Sequence, residues 1–318
     1  MAEDVIFEPD GASIANLESL AHNMLTLEER RICELYEIAR KFVSLTAELL
    51  AVGMTLCEVL SLLSESETVP SSHSVHSTAM ENNLLRLAAH AKIMSSSDRA
   101  IFCSLLYELF AESGALISEN MFLPTEKLPQ TFTYVKNSFA DEAYDVFSQE
   151  FSDPRVVYAK SFKEALALVA DGTVSYCLLP IEERGARLST VSELLFKGDF
   201  KIASVTPVLG FDGLADMKYA LVSRSFALSA YDHDDDRYFE LRLPKSAKTS
   251  LGDFLLAAEH YGLHLYKLNT MRFDTEEGDR EYFSIILHAS GADFTEMLIY
   301  LTLFADEFVP VGVYKNIE

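Results

Sequence analysis

The chain has 318 residues, 49% of them hydrophobic, and a formal net charge of -23 at pH 7. That length exceeds one small core and predicts two or three domains. The charge argues against nucleic acid or anionic lipid as partners, and no apolar run approaches the ~20 residues of a membrane span.

The opening "MAEDVIFEPDG" is acidic and lacks the basic start of a signal peptide. From 14 to 63 the pattern is helical, with Ile32, Leu35, Ile38, Ala39 and Phe42 at helical spacing. A serine-rich stretch, "SESETVPSSHSVHST" (64–78), reads as a mobile connection. "MENNLLRLAAHAKIM" predicts a second helix, and "SSSDRAIFCSLLYELFAESGALI" a third, capped by its serines and Asp98. Residues 1–122 thus form an all-helical unit, ended by the two-proline linker "LPTEKLPQ".

Beyond the linker, short β-branched or aromatic runs alternate with helical ones. "FTYV", "RVVYA", "SYCLLPI", "FKIASVTPVLG" and "MKYALVSRS" predict strands, with helices at 138–150, 161–170 and 188–197. That rhythm predicts an α/β unit over 131–230 with a largely parallel sheet. Ligands bind such sheets at the carboxyl ends of strands, where "PIEERGAR" lies. A third unit, 236–318, reads strand–helix–strand–strand–helix–strand, a ferredoxin-like βαββαβ order. The acidic run Asp232, Asp234, Asp235 and Asp236 reads as a solvated loop with no second ligand cluster beside it. Cys33, Cys57, Cys103 and Cys177 show no CxxC spacing, which suits reduced thiols in the cytoplasm and no metal site.

From about Phe132 onward the chain resembles a prephenate dehydratase domain followed by an ACT regulatory domain. "VKNSFADEAYDVF" resembles the family's opening turn and helix, and "FKEALALVADGTVSYCLLPIE" its segment ending in Pro-Ile-Glu. "STVSELL" and "KYALVSRS" resemble the next helix and the closing strand, while "REYFSIILHASG" and "VPVGVYKN" resemble ACT landmarks. The helical front end, through "DRAIFCSLLYELFAESGALISEN", more weakly resembles a chorismate mutase domain. The resemblance implies a multidomain protein: a chorismate-mutase-like helical unit, a two-lobed, periplasmic-binding-protein-like α/β domain around a cleft, and an ACT domain. It implies no cofactor and no metal.

The implied chemistry is loss of water and carbon dioxide from a dicarboxylate, which needs cations or donors for two carboxylates and a proton donor for the leaving hydroxyl. The resemblance places catalytic positions at Ser138, Glu182, Arg184 and Lys218, and substrate contacts at Asn137, Phe139, Glu183, Arg187 and Tyr219. Several family features are altered. Met217, Lys218 and Tyr219 stand where the family has Thr-Arg-Phe, so the donor is lost and the bidentate fork becomes a point charge. Glu183 replaces a neutral amide, and two carboxylates ~4 Å apart repel by about 4 kcal/mol at an effective dielectric near 20. Arg184 and Arg187 either pair with Glu182, Glu183 or Glu193 or hold a ligand. The flanking glycines of the opening turn are absent.

In the mutase-like unit, Arg30, Arg31, Arg40, Lys41 and Arg86 are the available cations, three of them beside Glu28, Glu29 and Glu37. Glu119 stands near the expected glutamine. Effector contacts of the ACT-like unit map to Ser250, Leu251, Asn269, Thr270 and Arg272, with Thr249 beside them. Two functions follow: a non-catalytic paralogue of phenylalanine metabolism that binds a prephenate-like molecule or an aromatic amino acid, or an active, divergent prephenate dehydratase. Either is expected to form a homodimer or homotetramer through its ACT-like unit.

Overall fold

The computed structural model describes residues 11–51, 53–54, 58–59, 87, 91, 93–209, 216–227, 236–245, 250–275, 278–291, 293–305 and 307–317. The serine-rich connection, most of the second predicted helix, Cys57, Arg86, Thr249 and Asp232, Asp234 and Asp235 lie outside the described residues.

Helix α1 spans Gly11–Ala51. Its residues Leu35, Ala39, Phe42, Thr46 and Leu49 recur every three to four positions and bury one face, and the helix packs on α2, Ser96–Glu112. Phe42 meets Phe102 edge to face at 6.1 Å. Ser95 caps α2, accepting from the Asp98 amide, as the serine run predicts. Ile32 continues the same stripe yet is exposed, as are Leu20, Met24, Leu25 and Leu27 nearer the start of the helix.

After α3 (Glu119–Phe122) comes β1 (Thr125–Glu126), then β2 (Thr131–Val135), α4 (Ser138–Ser148), β3 (Arg155–Ala159) and α5 (Phe162–Ala170). The chain continues through β4 (Tyr176–Glu183), β5 (Ala186–Arg187), α6 (Ser189–Lys197), β6 (Lys201–Leu209), β7 (Asp216–Ser223) and β8 (Phe226–Ala227). The last part is β9 (Asp236–Pro244), α7 (Leu251–His260), β10 (His264–Thr275), β11 (Gly278–Ser290), α8 (Thr295–Phe304) and β12 (Val309–Tyr314).

The protein is mixed α/β with one large mixed sheet. Its strand order is β10-β11-β9-β12-β6-β7-β4-β2-β3, with β5 paired to β4, while β1 and β8 make a separate two-stranded sheet. The last four strands follow the predicted βαββαβ order. Two expectations are corrected. Among the described residues β2, β3, β4, β6 and β7 lie in one sheet and form no second lobe, because β6 and β7 return beside β4, while β8 pairs apart with β1. That sheet is also less parallel than predicted: β2, β3 and β4 run parallel, but β7 is antiparallel to both β4 and β6. Only 210–215 separate β6 from β7, too few for a parallel crossover.

The sheet does not stop at the next unit. β12 pairs parallel to β6 at Gly312↔Ile202, and the chain beyond it adds Ile317 N–H to Val205 O at 2.8 Å. A side chain at Gly312 would collide with the Ile202 carbonyl, so the junction requires glycine.

Helix α4 covers one face of the β2–β7 region over Phe132, Tyr134, Phe147, Leu178 and Leu221. α5 and α6 cover the other over Leu166, Val169, Cys177, Leu179, Leu195 and Val222. A strand buried on both faces reads as a continuous apolar run, which is why "YCLLPI" is legible. In the βαββαβ region α7 and α8 cover one face, and α1 and α2 join the same core through Phe42, Phe102, Phe254, Met297 and Tyr300. The opposite face lies under α6, where Phe196 stacks on Phe273 at 4.2 Å. Among the described residues no helix is long and apolar enough to cross a membrane.

Candidate functional site

The stretch "PIEERGAR" is part of β4, a tight turn and β5. Pro180 has no N–H for the ladder, and a register shift between Pro180 and Glu182 absorbs it. Arg184 (φ 50) and Gly185 (φ 76) then turn the chain so that Glu183 faces Ala186 and Glu182 faces Arg187. Positive φ at both central residues matches the twist of a two-residue hairpin, and glycine fills one of them without strain. Arg184 stands at the exposed tip.

The bulge turns Glu182 inward. Its side chain is 6% exposed, with Oε1 2.8 Å from Lys267 Nζ on β10 and 3.7 Å from Arg187 Nη1. Lys267 Nζ also donates to the Gly185 carbonyl at 2.8 Å. Arg187, 5% exposed, forms its closest ion pair with Glu240 on β9. Glu240 also accepts a 3.0 Å hydrogen bond from the Tyr314 hydroxyl. Burial disfavours the Arg187 cation, but Glu240, Tyr314 and Glu182 outweigh it and hold its pKa above the ordinary value. Burial foremost, then Glu240, pushes Tyr314 up.

Further along β9, Arg242 lies 5.3 Å from the ring centre of Phe196 and 5.1 Å from that of Phe273. Burial pushes its pKa down to about 10, which still leaves it charged at neutral pH.

Lys218 is directly opposite Glu182 in the β4–β7 ladder, but its Nζ lies 3.5 Å from the Tyr266 hydroxyl. Met217 faces Glu183, and Tyr219 faces Pro180. Tyr219 is buried, which raises its pKa, and it shares a hydrogen bond with Asn137. Asn137 is the N-cap of α4, accepting from the Ala140 amide at 2.9 Å. Ser138 begins that helix, exposed, and Phe139 packs with Met217 against the α4-side core.

The positions assigned by resemblance therefore divide. Glu182, Arg187 and Lys218 converge on the seam between β4 and the C-terminal strands, while Asn137 and Tyr219 meet beside α4. Ser138, Glu183 and Arg184 are exposed. In the C-terminal part, Ser250 caps α7 by accepting from the Asp253 amide, and Leu251 begins that helix. Asn269, Thr270 and Arg272 lie along β10, with Arg272 paired to Asp279 at 2.5 Å. Glu119, the mutase-like position, receives Arg237 through two bonds of 2.9 and 2.5 Å. Arg30 pairs with Glu34, and Arg31 with Glu28 and Asp98. Asp236, the described end of the acidic run, lies 3.2 Å from His288. Among the described residues no group of three or more metal-ligating side chains gathers.

Sequence reasoning missed Glu240, Arg242, Lys267 and Tyr314. The available signal was the alternation in "YFELRLP": Phe239, Leu241 and Leu243 face the helices, which puts Glu240 and Arg242 on the other face.

No protein-family model and no curated protein matches the chain. Among solved structures it is similar to a prephenate dehydratase from Streptococcus mutans, at 14% identity and TM-score 0.46, over 60% of this chain and 100% of that one. It is similar to GqqA, a quorum quenching acylase, at 16% identity and TM-score 0.45, over 58% and 94% of the two chains. A prephenate dehydratase from Arthrobacter aurescens in complex with L-Phe gives 13% identity and TM-score 0.43, over 58% and 90%.

Proposed function

We propose that this chain is a non-catalytic relative of the prephenate dehydratase–ACT proteins, a ligand-binding or regulatory paralogue within phenylalanine metabolism. One observation carries the reading. Glu182 and Arg187, at dehydratase-like positions, are buried and committed to Lys267 and Glu240 of the C-terminal strands. A dicarboxylate substrate would have to break these pairs to reach them. Methionine at 217 supplies no proton, and it lies against the α4-side core. The ligand of this reading is a prephenate-like molecule or an aromatic amino acid, with the ACT-like residues Ser250, Leu251, Asn269, Thr270 and Arg272 as its contacts.

The protein of this reading is a cytoplasmic homodimer or homotetramer. The unpaired thiols of Cys33, Cys103 and Cys177 fit a reducing compartment. β10, at the edge of the large sheet, carries exposed Leu265, Tyr266 and Leu268, which fits edge-to-edge assembly.

The test is formation of phenylpyruvate from prephenate. Wild-type protein is expected to give negligible product, and gain is expected only when Glu183→Asn, Met217→Thr and Lys218→Arg are combined. Robust wild-type turnover that is lost on changing Arg184 or Lys218 would overturn the reading.

A further inference from the structure

Beside the two-stranded sheet of β1 and β8 is a cavity of about 460 Å³, within the size range of small-molecule sites. Its lining combines apolar Leu128, Val169 and Val174 with Ser175, Arg224 and Glu126. Val169 and Val174 are buried, while Arg224 and Glu126 are exposed at the rim. Ser175 immediately precedes β4, so the cavity is at the other end of that strand from the "PIEERGAR" hairpin. Eight strand residues at about 3.3 Å each put the two roughly 25 Å apart.

Local bonds place the polar groups and leave them capacity to spare. Glu126 on β1 is opposite Ala227 on β8, and its Oε2 accepts from the Ser225 hydroxyl at 3.1 Å. The Ser223 hydroxyl donates to the Ser225 carbonyl at 2.6 Å, which braces the turn that carries Arg224. Ser175 Oγ accepts from the Thr131 hydroxyl at 3.2 Å, and its own proton has no acceptor among the described residues. Arg224 and Glu126 line one cavity with opposite charge, yet among the described residues neither forms an ion pair.

We propose that this cavity binds a free α-amino acid with an aliphatic side chain. Its carboxylate goes to Arg224 and the Ser175 hydroxyl, its ammonium to Glu126, and its side chain lies against Leu128, Val169 and Val174. A guanidinium and a carboxylate that share a cavity without pairing match a zwitterion, which brings one charge to each. A simple anion would satisfy Arg224 but meet Glu126 as a like charge, on a chain already at -23. Among the described residues the lining has no aromatic ring, which favours an aliphatic body over a planar one. The site is separate from the β4–β5 hairpin and from the ACT-like contacts, so it holds whether or not the protein turns over prephenate.

L-Leucine is the probe, titrated into the full chain at pH 7 by isothermal calorimetry. Isocaproate and isoamylamine carry the same body with one charge missing from each. Saturable binding of leucine is expected, with both analogues weaker by about tenfold or more, the loss of one charge-assisted contact. Arg224→Gln and Glu126→Gln change exposed side chains, and each should weaken leucine by about tenfold or more. Leucine that binds both variants as tightly as wild type would lie elsewhere on the chain, and that result would overturn the proposal. So would isocaproate binding as tightly as leucine, the behaviour of a simple anion site at Arg224, or no saturable binding of leucine at all.

Discussion

Glu182 faces Lys218 across the β4–β7 ladder, yet its carboxylate is held at 2.8 Å by Lys267, 85 positions along the chain on β10. The nearest cation in the sheet is thus passed over for one that ties the β4–β5 hairpin to the C-terminal strands. Removing one member of a buried pair leaves an uncompensated charge, at a typical loss of 3–5 kcal/mol. Glu182→Gln should lower unfolding stability by about 3 kcal/mol, because Arg187 keeps Glu240 while Lys267 loses its carboxylate. Lys218→Met should change it by about 1 kcal/mol or less, since Lys218 has no such buried pair. Urea unfolding of the two variants distinguishes them, and equal losses would contradict this account of the seam.

The junction of the two sheet regions at Gly312 is open to a simpler substitution. Gly312→Ala places a methyl group against the Ile202 carbonyl, and overpacking of this kind typically costs about 1–3 kcal/mol. Amide exchange should quicken first at Val205 and Ile317, whose backbone bonds lie beside the junction. Unchanged exchange there would show that β6 and β12 yield without loss.

Where α2, α7 and α8 meet, acid and base act in opposite directions. Asp253 is held below its ordinary 3.8, chiefly by the Ser96 hydroxyl. It contributes stability present above 3.8 and lost as pH falls through its lower folded value. Glu296 is pushed above 4.5 by burial foremost, although the Ser104 hydroxyl donates to it. It contributes stability present below 4.5 and lost as pH rises through its folded value. Asp253→Asn should flatten the acid limb of the urea midpoint against pH, and Glu296→Gln the limb that begins above 4.5. A Glu296→Gln midpoint that falls above pH 4.5 as steeply as wild type would contradict this assignment.

Edge assembly gives a fourth expectation. Light scattering at micromolar concentration should find at least twice the 35.6 kDa protomer mass. Leu268→Lys, which puts a charge on the exposed β10 edge, should return it to the protomer mass. A wild-type monomer would contradict the dimer and tetramer alike.

Elements governed by local chemistry were legible. β3 is read and observed at 155–159, and α6 differs by one residue, because apolar runs, caps and turns are written within a few positions. The sheet's directions were less so: "FKIASVTPVLG" and "MKYALVSRS" look like any strands, and only the six residues between them mark a hairpin. The second lobe was an expectation carried by resemblance, and among the described residues of 131–227 every strand but the two-residue β8 belongs to the one large sheet. The seam was hidden for another reason. Glu240 and Arg242 alternate with Phe239, Leu241 and Leu243 as on a strand with one wet face, and nothing local says that α6 covers that face. Arg187 and Glu240 lie 53 positions apart, beyond any spacing rule.

The place of β12 has a consequence for biosynthesis. It is the last strand in chain order, yet it lies between β9 and β6, both made earlier. Until residues 309–314 leave the ribosome, each of those strands presents an open edge toward the other with nothing between them. A nascent chain halted before Val309 would therefore hold two unpaired, apolar strand edges at once, and a chaperone's interval with this protein would end only when that strand is inserted.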